Sequence, residues 1–86
     1  MRINENFIKH ELEGETILVP TGSADFHGLV QGNKSVSAIL DCLENDVTEE
    51  EIVDTLCKLF NGDREIISAD VADVISRLKK IGAIDD

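Results

Sequence analysis

Three stretches between residues 34 and 81 repeat apolar side chains every three or four positions, and short polar breaks separate them. That is the helical period, so each stretch must bury one stripe against something else. In the first, Val36, Ile39, Leu40 and Leu43 stand at i, i+3, i+4 and i+7, and Asn33 is placed to cap a helix over about Lys34 to Leu43. In the second, Thr48-Glu49-Glu50-Glu51 spells a capping box, in which the Thr hydroxyl accepts from the Glu51 N–H while that carboxylate reaches back. Three acids in one first turn also suit the positive end of the helix dipole. This helix is expected to run to Phe60, with Ile52, Val53, Leu56, Leu59 and Phe60 as its apolar face, and Asn61-Gly62-Asp63 ends it. For the third, Ser68 is the expected cap, with Asp70 in the first turn. Val71, Val74, Ile75, Leu78 and Ile81 make its stripe. Gly82 stands where a left-handed C-terminal cap is wanted, and Ile84 can fold back over it.

The N-terminal third has period two. From Phe7 to Leu12, Ile8, His10 and Leu12 point one way and Phe7, Lys9 and Glu11 the other. Glu13-Gly14-Glu15 is a short turn, Thr16 to Val19 is β-branched and apolar, and Pro20 ends it, so the two runs read as a hairpin. A third extended run is expected over about residues 25 to 31, after the turn Thr21-Gly22-Ser23. Gly28 and Gly32 weaken it as an isolated strand, but glycine in a strand often marks close approach of another backbone.

The 86 residues make one domain, residues 1–86, near the small end of what folds alone. With no Trp or Tyr and three Phe, its core is aliphatic. The 18 acidic residues against 8 basic give a net charge of −10, which repels a phosphate backbone and speaks against nucleic acid as a partner. No segment approaches the roughly 18 consecutive apolar residues of a membrane span, and the N-terminus lacks the apolar run of a secretion signal. A cytoplasmic chain is therefore expected, with Cys42 and Cys57 unpaired among aliphatic neighbours.

Little in the sequence points to catalysis, a metal or a cofactor. His10 and His27 lie in extended segments with no adjacent Ser or Cys at a nucleophile's spacing. Two distant Cys and two His are too few for a metal site. Gly28 and Gly32 miss phosphate-loop spacing by one position, and Asn33 precedes the Lys. Glu49, Glu50 and Glu51 read as a solvated helix start. Arg77, Lys79 and Lys80, with Arg64 before them, reverse the sign locally. They complement a helix C-terminus, or they form a docking edge for an acidic partner segment.

The order of elements, and several residues in it, resemble the PqqD-like family, also described as precursor-peptide recognition elements. The stretches that carry the likeness are Phe26-His27-Gly28-Leu29-Val30-Gln31-Gly32-Asn33, the helix Ser37 to Leu43, Thr48-Glu49-Glu50-Glu51-Ile52-Val53-Asp54-Thr55-Leu56, and Asp70 to Leu78 continuing to Gly82-Ala83-Ile84. Gly32 departs from the pattern, which commonly has Leu before the Asn. The resemblance implies an α+β, winged-helix-like fold, a three-stranded antiparallel sheet packed on three helices. It also implies a non-catalytic, cofactor-free adaptor. Such an adaptor binds the leader segment of a ribosomally made precursor peptide and delivers it to a modifying enzyme, a radical-SAM enzyme or a leader protease with its cyclase. The leader would add as a strand along the third strand, where Phe26, His27, Gly28, Leu29 and Val30 are the candidate contacts. Its side chains would enter a groove completed by Val71, Ile75 and Leu78 of the last helix, with Lys79 pairing a leader carboxylate.

Three other functions fit parts of the pattern, one of them a plain protein-interaction subunit of some other complex. A winged-helix DNA-binding regulator shares the architecture, but the charge opposes it. An acidic carrier protein shares size and charge, but no Asp-Ser-Leu attachment context occurs. The state, monomer or homodimer, is left open, because an exposed strand edge can pair with a second copy.

Overall fold

The structure, a computed structural model, describes residues 1–22, 28 and 32–85. The fold is α+β. Strands β1 (Phe7–Leu12) and β2 (Glu15–Pro20) precede helices α1 (Lys34–Cys42), α2 (Glu49–Phe60) and α3 (Arg64–Lys80). Among the described residues the sheet has two antiparallel strands, paired from Phe7 opposite Pro20 to Leu12 opposite Glu15. The expected third strand falls, apart from Gly28, outside the described residues; Gly28 lies in a bend and is half-buried.

The hairpin turn has both central residues at positive φ, Glu13 at 53° and Gly14 at 82°, as a two-residue turn of the primed type requires. With this turn, Phe7 and Leu18 face the helices and are buried, while Ile8 and Leu12 on the other face are exposed. Polar bonds fix the inner face to α1. The Thr16 N–H donates to Ser37 Oγ (3.1 Å), and the Thr16 hydroxyl donates to Asp41 Oδ1 (2.8 Å). Lys9 Nζ reaches Glu44 Oε1 at 2.6 Å and Asp41 Oδ1 at 3.3 Å. Burial alone would lower the Lys9 pKa, but the bonds to these two carboxylates outweigh it and the pKa is raised.

The caps explain where the helices begin and end. Asn33 accepts from the Val36 N–H at the start of α1. The Thr48 capping box is present in both directions, with Glu51 N–H to Thr48 Oγ1 at 3.1 Å and Thr48 N–H to Glu51 Oε1 at 3.0 Å. α2 ends on Asn61 in the left-handed region. α3 ends in a Schellman motif: Gly82 has φ 79°, the Gly82 N–H bonds Lys79 O, and the Ala83 N–H bonds Leu78 O at 2.8 Å. Ile84 folds back and is buried, as its spacing suggested.

Two expectations need correction. α3 is capped by Asp63, not Ser68, and starts one turn earlier; the Asp63 carboxylate accepts from the Glu65 N–H at 2.8 Å. Ile67, four residues before Val71 on the same stripe, is buried and anchors that extra turn, and Arg64 pairs with Asp54 of α2 at 2.7 Å. At the end of α2, Leu59 and Phe60 do not join the buried face. They are 63% and 41% exposed, because the stripe outruns the core there.

One apolar cluster unites these elements, centred on Leu18, Ile39, Leu40, Ile52, Leu56 and Val71. α1 packs on β2 and on α2, and α2 packs on α3. The chain ends are stitched together across it. Ile3 bridges Ile84, the Ile3 N–H donates to Leu43 O, and the Asn4 N–H donates to Ala83 O at 2.9 Å. The Asn4 side chain also donates to Gly82 O at 2.7 Å, so one residue ties the first segment to the α3 cap. Among the described residues no helix is long and apolar enough to cross a membrane.

Candidate functional site

A groove of about 200 Å³ lies between the start of α1 and the outer side of α3. Asn33, Ser35, Val36 and Ile39 line one wall, and Asp70, Asp73, Val74 and Arg77 line the other. The α3 positions are spaced i, i+3, i+4 and i+7, so they form a second stripe beside the one that faces the core. Ile39 is fully buried at the floor, while Val36 and Val74 are half-buried and pack on the core from above. The groove thus joins an apolar floor to a polar rim.

Gly32 packs tightly against Val36, one of the side chains that line the groove. A Cβ built on Gly32 would sit 2.8 Å from Val36 Cγ2 and 3.0 Å from Val36 Cβ, closer than real side chains approach. A side chain before the Asn33 cap therefore requires Val36 to move. On the opposite wall, Arg77 Nη2 meets Asp73 Oδ2 at 2.9 Å one helical turn away. Both side chains are well exposed, so the pair contributes little to stability and can re-form with a ligand. The first turn of α1 carries no acid, so the positive end of its dipole is presented at the rim.

The residues expected from the sequence take different places. Val71, Ile75 and Leu78 are 0%, 3% and 1% exposed and belong to the core cluster. They support the groove from behind. Lys79 is exposed and is not among the side chains lining the groove; at 100° per residue it lies about 140° round α3 from Val74. Arg77 is the basic side chain at the rim. Phe26, His27, Leu29 and Val30 lie outside the described residues, and Gly28 is described only as noted above. Val74 lies on the edge of the α3 stripe, which a periodicity reading assigns to the core, and Asp73 carries no sequence signal of its own. Arg77 belongs to the basic run that the sequence offers as a docking edge, and it is the member of that run that lines the groove.

Other chemistry-bearing groups are quiet. Among the described residues no three His, Cys, Asp or Glu side chains are placed to hold a metal ion. Burial pushes the Cys42 thiol up, against the lowering effect of its hydrogen bond with Thr55. Among the described residues no buried side-chain N or O atom lacks a hydrogen-bond partner.

Residues 15–84 match the family described as coenzyme PQQ synthesis protein D (PqqD). The chain belongs to the PqqD family. The match takes in β2, all three helices and the stitched C-terminus, and with them both walls of the groove. Among solved structures, this PqqD-family chain is similar to TbiB1 in complex with the TbiA(beta) leader peptide. The likeness covers 100% of each chain at 24% identity with a TM-score of 0.79. At that identity the likeness speaks for the fold. None of the curated protein sequences matches the chain.

Proposed function

We propose that this PqqD-family chain is a leader-peptide adaptor, a single cytoplasmic domain that performs no chemistry of its own. It captures the leader of a ribosomally made precursor and presents it to a modifying enzyme, a radical-SAM enzyme or a leader protease. The groove between α1 and α3 carries the proposal: an apolar floor with a polar rim, in a chain of this family. That TbiB1, of the same fold, is described with a leader peptide supports the reading.

In this proposal residues 26–30 form the third strand of a winged-helix-like sheet, and the leader adds beside it through backbone hydrogen bonds. Alternate leader side chains then enter the groove. Val36 and Val74 meet the apolar ones above the buried Ile39, and Arg77 exchanges Asp73 for a leader carboxylate. Val71, Ile75 and Leu78 hold the floor in place without touching the peptide. Lys79, on another side of α3, would serve a leader that wraps past the rim.

The test uses a fluorescein-labelled candidate leader, the N-terminal segment of a short precursor encoded near this chain's gene. Anisotropy should report saturable binding, in the nanomolar to micromolar range common for strand addition. Val74→Asp should weaken it at least tenfold, which is about 1.4 kcal/mol. Absence of leader binding by the folded chain, or tight salt-sensitive binding of duplex DNA in its place, would overturn the proposal.

A further inference from the structure

A second concavity, of about 460 Å³, opens on the far flank of α1. Its walls are the hairpin turn (Glu13, Gly14, Glu15), the α1 side chains Lys34, Ser37, Ala38 and Asp41, and Phe60 from the end of α2. Val36 of the first groove and Ala38 of this concavity are about 200° apart around α1 at 100° per residue, so the two openings do not overlap. Phe60 is 41% exposed at its edge. Aromatic side chains are enriched in interfaces over the rest of the surface, and Phe60 offers its ring at the edge of a concave one.

Charge selects the occupant. Three carboxylates, Glu13, Glu15 and Asp41, line the concavity with one ammonium, Lys34; Asp41 Oδ1 is already engaged by Lys9 Nζ and the Thr16 hydroxyl, so Glu13 and Glu15 carry the excess of negative charge. Glu11 is exposed on the same hairpin, two residues before Glu13. A second copy of this chain, with 18 acidic and 8 basic residues, is a poor match for that field. We infer that this concavity is a docking site for a partner protein that presents a basic side chain next to an apolar one, the apolar group on Phe60 and Ala38 and the cation beside Glu13 and Glu15. The partner can dock while the groove on the other flank is occupied, as an adaptor between a peptide and an enzyme requires. The site stands on its own geometry, and would remain if the first groove bound something other than a leader.

The probe is a blocked six-residue peptide alternating arginine and leucine, compared with its glutamate–leucine counterpart. Each is titrated into the isotope-labelled full chain while amide shifts are followed. The arginine peptide should give saturable shifts at residues 13–15, 34, 37, 38, 41 and 60, and the glutamate peptide none. Phe60→Ala and Glu13→Asn should each weaken binding at least threefold. Glu13→Asn fits the positive φ better, so its melting temperature should not fall, which separates lost binding from lost folding. Equal responses to the two peptides, shifts centred elsewhere, or unchanged affinity in both variants would overturn the inference. So would self-association in sedimentation that Phe60→Ala abolishes, because the occupant would then be a second copy.

Discussion

Glu13 holds a backbone conformation, φ 53°, in which a side chain with a Cβ is disfavoured by about 1–2 kcal/mol. Asn tolerates it, and Asn-Gly is the preferred pair for this turn. Glu13→Asn is therefore expected to raise stability by about 1 kcal/mol, read as a higher urea midpoint at unchanged slope. Val74 and Ile75 are neighbours in sequence with opposite roles. Ile75→Ala should destabilise the chain by about 2–5 kcal/mol through the cavity it opens in the core. Val74→Ser, on the half-buried rim, should cost clearly less and show mainly in ligand affinity. Urea unfolding of both variants checks the split. Cys42 gives a pH test. Its thiol is raised by burial, so the folded state holds the proton to higher pH than the unfolded chain does. Stability from this group is intact below the ordinary thiol range and is lost as pH rises from that range through the raised folded value, and native Cys42 should alkylate more slowly than in urea.

At the scale of elements, the caps decide the boundaries, and they explain what the sequence could and could not disclose. Asn33, Thr48 and Gly82 each have one competing role at most, so their helix ends were legible. The start of α3 was not, because Asp63 and Ser68 are both good capping residues and local spacing does not choose between them. Burial of Ile67 chooses. Asp63→Ala should cost about 1 kcal/mol and Ser68→Ala less than half of that, compared by thermal unfolding. Leu59 and Phe60 read as core because they continue the α2 stripe, yet the stripe runs past the layer that would cover it. The groove was illegible for a related reason. Val74 lies on the border of two stripes on one helix, and sequence spacing cannot say which neighbour stands over it. The stitch between Ile3, Asn4 and the α3 cap left no signal, since it depends on backbone groups brought together only in the folded chain.

For the whole molecule, a net charge of −10 over 86 residues sets the terms of any association. Basic partners arrive faster at low salt and acidic ones are slowed, except where Arg77, Lys79 and Lys80 reverse the sign on α3. α1 stands between two openings of different character, one with an apolar floor and mixed rim and one rimmed mainly by carboxylates. That arrangement suits a small protein whose task is to hold two other molecules near each other. The most direct measurement is an amide-shift titration of the labelled chain with a candidate leader peptide. The account predicts saturable changes in residues 26–30, in residues 33–39 and at Val74 and Arg77. If a saturating leader leaves those amides unmoved, or moves only the hairpin turn and Phe60, the account is contradicted.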